Sequence, residues 1–162
     1  MTKPIDTVQR MTTAIEHYLS GYNCAQAVAL TFADLYGLTP DLALKLSSSF
    51  GCGIARMGEV CGAASAMFML AGLECGTTKP ADNEGRKLNF DTVRMLADKF
   101  KTMHHDTMLC REILQLSKGD KPEAPTPQIA EYYAKRPCTY RVGSAAEIFC
   151  DYLNAKQQNE MD

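Results

Sequence analysis

The sequence predicts an all-α fold, and three observations support this class. Apolar residues recur at intervals of three and four along most of the chain, which is the period of an amphipathic helix. No segment alternates apolar and polar residues at period two, as a half-buried strand does. The chain has 162 residues, a common length for one domain. We therefore expect one multi-helix bundle over residues 1–162.

Three helices are predicted in the first third of the chain, each with a start or stop signal. Gly21 ends the first helix, and Asn23 is a favourable N-cap for the second. Thr39 and Pro40 have the sequence signature of the N-cap and first residue of the third. The predicted helices cover residues 5–19, 24–36 and 39–49.

A glycine-rich loop separates these helices from the most apolar helix of the chain. Glycines at positions 51, 53 and 58 predict backbone with positive φ or a close approach to another segment. The run Val60–Leu73 is uncharged and, with fourteen residues, typical of a buried helix; a membrane span needs roughly 20. Because glycine disfavours a helix by about 1 kcal/mol relative to alanine, Gly62 and Gly72 indicate close packing. We place a helix over about Glu59–Leu73 at the centre of the bundle.

The second half of the chain predicts further helices separated by polar loops. Pro80 lies in the first loop, and three prolines with a Lys-Gly-Asp turn mark the loop at residues 118–127. Pro137 predicts a turn before the last helix. The predicted helices cover residues 90–100, 109–116, 129–135 and 144–156.

Composition and charge exclude several classes of function. The chain has 17 Lys and Arg against 19 Asp and Glu, which gives no support to a nucleic-acid partner. The first residues lack the apolar region of a secretory signal, so we expect a cytoplasmic protein with no membrane insertion. The partner that fits a redox role stays unidentified, and a homodimer is one assembly that the sequence leaves open.

The unusual feature of the composition is seven cysteines, none of them spaced C-x-x-C. The absence of this spacing excludes the thioredoxin motif, the zinc ribbon, the usual ferredoxin pattern and the covalent haem motif C-x-x-C-H. Cytosolic thiols are kept reduced, so we do not expect a disulfide framework. A shared cysteine site must therefore be assembled from distant segments. The cysteines are at positions 24, 52, 61, 75, 110, 138 and 150.

Three of these cysteines share one predicted environment. Cys24, Cys61 and Cys110 each lie in or near the first turn of a predicted helix, on its apolar side. Free N–H groups and the helix dipole favour a thiolate there. Cys138, after the turn at Pro137, is the natural fourth member.

The remaining cysteines are weaker candidates. Cys75 is fourteen residues beyond Cys61, which along one helix is about 21 Å. Cys150 lies between aromatic residues in the last helix and is better explained by packing. Cys52 is ambiguous, because its loop can fold back on Cys61 and Arg56 can support a thiolate.

Five stretches of the chain match a known sequence pattern in the right order. They are GYNCAQAV (residues 21–28), FGCGI (50–54), MGEVCGA (57–63), CRE (110–112) and Cys138 with the residues after it. In these stretches the chain resembles the C_GCAxxG_C_C family of redox-active proteins, which is related to the non-haem part of split-Soret cytochrome c. Its four characteristic cysteines correspond to Cys24, Cys61, Cys110 and Cys138. One departure is Ala66, which occupies the position of the last glycine of C-G-A-x-x-G.

The resemblance implies redox activity but leaves the chemistry open. One hypothesis is a [2Fe–2S] cluster, or another metal, held by Cys24, Cys61, Cys110 and Cys138 for electron transfer. The split-Soret resemblance favours iron–sulfur, and structural zinc is an alternative with the same ligand type. A third hypothesis is a metal-free thiol–disulfide oxidoreductase, with Cys61 as the nucleophile and Cys24 or Cys52 as the resolving thiol. For His104 and His105, a solvated helix end is the expected environment.

Overall fold

The computed structural model describes residues 3–126 and 129–160. Over these residues the chain forms eight α-helices and two short 3₁₀ turns, and it has no strand, so the predicted all-α class is confirmed. No helix of these two ranges is long and apolar enough to cross a membrane. The helices are α1 (Thr7–Leu19), α2 (Cys24–Thr31), α3 (Pro40–Ser47), α4 (Gly62–Cys75), α5 (Asn83–Met103), α6 (Cys110–Ile113), α7 (Ile129–Ala134) and α8 (Cys138–Asn159). The 3₁₀ turns are Ala33–Tyr36 and Ser48–Phe50.

The predicted start signals of α2 and α3 are confirmed. The Asn23 side chain accepts a hydrogen bond from the N–H of Gln26, whose own side chain accepts from the N–H of Asn23. This capping box satisfies two N–H groups at the start of α2. At the start of α3 the Thr39 side chain accepts a hydrogen bond from the N–H of Leu42, and Pro40 is the first residue of that helix.

Helix α4 lies at the centre of the bundle, as predicted. It packs against α2, α5 and α8, while α1 packs along α8. The alanines of α4 that face its neighbours are fully buried. These small side chains let neighbouring helix backbones approach closely, and larger groups such as Met67 and Leu70 fill the remaining core.

Two helix boundaries near the cysteines differ from the prediction. Helix α4 begins at Gly62, so Cys61 is its N-cap and not a residue of its first turn. Helix α8 begins at Cys138, six residues before the predicted start. Gly143, just before the predicted start, lies inside α8 where α1 packs against this helix. A Cβ at Gly143 would lie 3.1 Å from Cδ1 of Ile15, so this glycine serves packing between the helices.

Candidate functional site

Five of the seven cysteines line one small cavity. Its volume is about 20 Å³, which is room for roughly one water molecule. All seven cysteines are free thiols. The two outside the cavity are Cys75, the last residue of α4, and Cys150, which is buried within α8. The cavity is lined by Cys24, Cys52, Cys61, Cys110 and Cys138, together with Tyr18, Asn23, Ile113, Tyr132, Tyr133 and Arg136.

Four of the five cavity cysteines lie at helix starts. Cys24, Cys110 and Cys138 are the first residues of α2, α6 and α8, and Cys61 is the N-cap of α4. The first N–H groups of a helix have no partner within it and carry partial positive charge. Four such helix ends therefore meet at one cavity. Cys138 belongs to a helix and not to the turn that the sequence predicted.

A short backbone pairing holds two of these helix starts side by side. Val60 and Leu109 form an isolated antiparallel β-bridge. The N–H of Cys61 donates to the carbonyl of Met108 at 2.7 Å, and the N–H of Cys110 donates to the carbonyl of Glu59 at 2.7 Å. These bonds fix Cys61 relative to Cys110 without using any side chain.

Two glycines allow the surrounding chain to close over the cavity. A Cβ at Gly53 would lie 2.6 Å from both the Cβ of Cys110 and the backbone nitrogen of Glu59. A Cβ at Gly62 would lie 2.6 Å from the sulfur of Cys24. Real Cβ atoms do not approach other atoms so closely, so both positions require glycine.

Cys52 lies on a run of five consecutive residues with left-handed backbone. The φ angles of residues 52–56 are 55°, 68°, 61°, 49° and 64°. The sequence predicted positive φ at glycines, whereas four of these five are Cys52, Ile54, Ala55 and Arg56. A left-handed conformation costs a non-glycine residue roughly 1–2 kcal/mol, and a β-branched residue such as Ile54 is a strong outlier. Strain of this kind is concentrated at functional sites.

The thiol of Cys24 lies beside that of Cys61 and near the backbone N–H groups of Cys52 and Ala25. The neighbouring thiol of Cys61 and the burial of Cys24 raise the pKa of Cys24 well above its usual value, and the two N–H groups oppose this rise. Cys24 and Cys61 are thus direct neighbours.

Burial has the largest effect on the pKa of three other cavity thiols, those of Cys110, Cys138 and Cys52. It raises the pKa of Cys110 to about 12 and that of Cys138 to about 11, and it also raises the pKa of Cys52. The neighbouring Tyr18 hydroxyl lowers the pKa of Cys138 and partly offsets the effect of burial there. The sequence predicted that helix N-termini would favour thiolates, but the low dielectric of the buried cavity outweighs the helix ends. The cavity thiols whose pKa is raised are therefore protonated at neutral pH.

Arg136 is a cation on the cavity wall. Its guanidinium lies 4.4 Å from the centroid of the Tyr132 ring and donates to the carbonyl of Glu123 at 3.2 Å. Its charge lowers the pKa of Cys52 and Cys138. No sequence motif marks Tyr18, Tyr132 or Arg136, because they reach the cavity only through the packing of α1, α7 and the turn between α7 and α8.

The cavity residues fit a metal by donor type but not by their arrangement. Thiolate sulfur is the preferred ligand of zinc and of iron–sulfur clusters. Yet over residues 3–126 and 129–160, no group of three or more His, Cys, Asp or Glu side chains has the arrangement of a metal site. A volume of about 20 Å³ is also small for a cluster with two irons and two sulfides.

Neither histidine of the His104–His105 pair lines the cavity. His104 is 0% exposed and lies against the rings of Phe100 and Tyr140, so the expectation of a solvated helix end is wrong for this residue. His105 is exposed. His104 is buried because the chain turns back after α5, a long-range consequence of the fold that local pattern does not indicate.

Comparison with known proteins identifies a family but no individual relative. Neither the curated proteins nor the solved structures give a significant match. One family model matches residues 22–152, and its description is "Putative redox-active protein (C_GCAxxG_C_C)". The match includes all five cysteines of the cavity. Because it covers most of the chain, the protein belongs to the C_GCAxxG_C_C family of redox-active proteins.

Proposed function

We propose that this protein uses Cys24 and Cys61 as a reversible dithiol–disulfide couple. The observation that carries the proposal is the proximity of these two thiols. The sulfur of Cys24 lies against Gly62, the residue that follows Cys61, and both thiols line the same small cavity. Two neighbouring sulfurs need little movement to form a bond of about 2.05 Å. The redox-active description of the family supports a function of this class.

The proposed reaction transfers two electrons. On oxidation, an S–S bond forms between Cys24 and Cys61, and two protons and two electrons pass to the oxidant. A disulfide on a partner molecule is the matching oxidant, since it becomes two thiols. Once the sulfur of Cys24 is bonded to another sulfur in a mixed disulfide, the Cys61 thiolate attacks it, the Cys24–Cys61 bond forms, and the displaced sulfur leaves as a thiolate. In the reverse reaction the N–H groups of Cys52 and Ala25 stabilise the negative charge that develops on Cys24.

Disulfide mapping of the whole protein tests this function. After mild oxidation with diamide, we expect two free thiols to be lost and a peptide pair joined through Cys24 and Cys61. Cys61→Ser should abolish that pair, because a hydroxyl does not form a disulfide. Cys75→Ser is a matched control, since Cys75 lies at the other end of α4. A wild-type protein in which Cys24 and Cys61 both stay reduced would contradict the proposal.

A thiolate-bound metal is the second candidate function. It is favoured by one observation, namely that Cys24, Cys61, Cys110 and Cys138 line the same cavity. These four residues would hold a [2Fe–2S] cluster for electron transfer or, alternatively, a structural zinc ion. The sulfurs would have to converge, and the cavity would have to expand for a cluster.

The metal candidate is tested by the iron and zinc content and the visible absorption spectrum of protein purified without oxygen. Cys110→Ser separates the two functions. It removes a ligand from a metal centre, whereas the Cys24–Cys61 disulfide should still form. Stoichiometric iron or zinc that is lost in Cys110→Ser would establish the metal site. Metal-free protein with normal Cys24–Cys61 oxidation would rule it out.

A further inference from the structure

We propose that Cys52 is the exchange thiol that passes the disulfide between the Cys24–Cys61 pair and a partner. This inference rests on the dithiol function proposed above. It concerns a residue outside the four cysteines that characterise the family pattern. Three observations carry it: the exposure of Cys52, its position beside Cys24, and the charge around it.

The Cys24–Cys61 pair is closed to a partner molecule. Cys24 is 7% exposed and Cys61 is 5% exposed, and the cavity has room for roughly one water. Thiol–disulfide exchange requires the attacking sulfur to reach the S–S bond directly. Cys52 is only half-buried, and residues 55–57 beside it are exposed. Because Cys52 lines the cavity and also faces solvent, its thiol can react both with the buried Cys24–Cys61 pair and with a partner molecule.

Cys52 and Cys24 are neighbours in the cavity, which both side chains line. The residues just before them pack directly together, since a Cβ at Gly51 would lie 2.5 Å from the Cγ of Asn23. Cys52 begins the left-handed run at residues 52–56. Because this conformation is strained, a rearrangement of the turn releases free energy that offsets the contacts it breaks. The turn is therefore suited to move the Cys52 sulfur between Cys24 and solvent.

Two guanidinium groups oppose the effect of burial on Cys52. Burial and the neighbouring Cys24 raise the pKa of Cys52, and the charges of Arg136 and Arg56 counteract this rise. The Nε of Arg56 donates to the carbonyl of Pro122 at 2.8 Å, which holds this side chain in place. An attacking thiolate at Cys52 thus has two cations near it.

The exchange proceeds in three steps when a dithiol reduces the protein. The Cys52 thiolate attacks the sulfur of Cys24, so a Cys52–Cys24 bond forms and the Cys24–Cys61 bond breaks. Cys61 leaves as a thiolate and takes up a proton. The reductant then attacks Cys52, and Cys24 leaves as a thiolate and is protonated. The second thiol of the reductant attacks the mixed disulfide and releases Cys52. Two electrons and two protons pass from the dithiol to the protein.

The rate of reduction tests the inference. Protein oxidised at Cys24–Cys61 is treated with dithiothreitol, and free thiols are followed with time. After prolonged treatment with diamide, Cys52→Ser should still reach the Cys24–Cys61 disulfide, but dithiothreitol should then reduce that bond about tenfold more slowly or worse. Cys75→Ser is the control, because Cys75 is equally half-buried but lies outside the cavity; its rate should equal that of the wild type. An unchanged rate in Cys52→Ser would overturn the inference.

A trapping experiment gives a second readout. In Cys61→Ser the normal disulfide is absent, so mild oxidation should accumulate a Cys24–Cys52 disulfide in peptide maps. A Cys24–Cys138 disulfide, or none, would assign the exchange elsewhere and overturn the inference. These outcomes differ from failure of the proposed function, in which the wild-type protein does not form the Cys24–Cys61 bond at all.

Discussion

Val60 and Leu109 pair as an isolated antiparallel bridge, and each is followed directly by a cysteine of the cavity. The pairing joins two chain segments that are 49 positions apart in sequence. Since the bonds that flank it are made by backbone groups of Cys61 and Cys110, the thiols stay free for chemistry. The backbone groups of Cys61 and Cys110 therefore hold the two segments together, while their side chains stay available for reaction.

Alanine at Gly62 should destabilise the protein and displace Cys24. The new Cβ would meet the sulfur of Cys24 at 2.6 Å and the carbonyl oxygen of Phe50 at 2.7 Å. Overpacking of this kind costs about 1–3 kcal/mol. The measurement is the free energy of unfolding in urea, together with the yield of the Cys24–Cys61 disulfide.

Gly72 provides the matched control on the same helix. It is exposed, and a Cβ there meets nothing within 4 Å, so the prediction of close packing at this glycine is wrong. Gly72→Ala should therefore stabilise the protein by about 0.5–1 kcal/mol, because alanine is the better helix former. Equal effects of the two substitutions would show that the start of α4 is not closely packed on Cys24.

Asn23→Ala should loosen the start of α2 at Cys24. It removes the capping hydrogen bond and the contact from Nδ2 to the carbonyl of Ser48, which is 3.0 Å long. Loss of such a cap costs about 1 kcal/mol. We expect lower stability and faster alkylation of Cys24 by iodoacetamide in the absence of denaturant.

Thr39→Ala is the control for Asn23→Ala, because it removes a helix cap that is not beside Cys24. Thr39 caps α3, which does not line the cavity, so its loss should cost similar stability without changing the alkylation of Cys24. If both substitutions accelerate alkylation equally, the effect comes from global unfolding and not from the cap at Cys24.

The sequence predicts the helical class and several helix starts because their signals are local. Asn23 and Thr39 satisfy N–H groups three residues ahead, so the pattern and the structure involve the same few residues. The choice of Cys24, Cys61, Cys110 and Cys138 used similarly local information about helix starts, joined to the family resemblance. Their role in chemistry stays a prediction.

The parts that the sequence did not predict depend on long-range packing. Arg136 and Tyr18 reach the cavity from helices or turns distant in sequence, and no local pattern marks them. The protonated state of the thiols depends on how deeply they are buried, which follows only from the complete fold. Likewise, the start of α8 lies six residues before the predicted one, and Gly143 within this part of the helix packs against Ile15 of α1, a contact that no local pattern indicates.

Arg136→Gln should make the cavity thiols less reactive. The positive charge of Arg136 lowers the pKa of Cys138, which burial raises to about 11. Without it this pKa rises further, and the thiolate fraction at pH 8 falls, since the fraction decreases tenfold for each unit of pKa. We expect alkylation of Cys138 to slow by about threefold or more.

The pH profile of alkylation distinguishes charge from access. Removal of the charge shifts the midpoint of the alkylation rate of Cys138 to higher pH and leaves its maximum rate at high pH unchanged. An opened cavity would instead raise that maximum rate. Arg86→Gln is the control, because Arg86 lies on the exposed surface of α5 and bonds only locally, to the carbonyl of Pro80 and to Asn83. An unchanged midpoint in Arg136→Gln would show that this cation does not act on the cavity.

Acid should destabilise the protein through His104. Burial and the nearby charge of Arg141 lower the pKa of His104 to about 4, against about 6.5 in the unfolded chain. As the pH falls from about 6.5 towards 4, the unfolded chain binds a proton that the folded protein does not bind, so stability is lost over this window. The difference between the two pKa values corresponds to a loss of about 3 kcal/mol in the free energy of unfolding. Solvent screening of the charge on His104 reduces this loss to about 2 kcal/mol.

His104→Leu should weaken this dependence on pH. Neither ring nitrogen of His104 has a hydrogen-bond partner among the residues of the structure described above, so a leucine of similar size leaves no group unsatisfied. The free energy of unfolding is measured in urea at pH 7 and pH 5 for both proteins, and the variant should gain relative to the wild type at pH 5. His105→Asn is the control, because His105 is exposed and asparagine tolerates its φ of 57°. If His104→Leu and the wild type lose equal stability between the two pH values, the acid sensitivity arises from other groups.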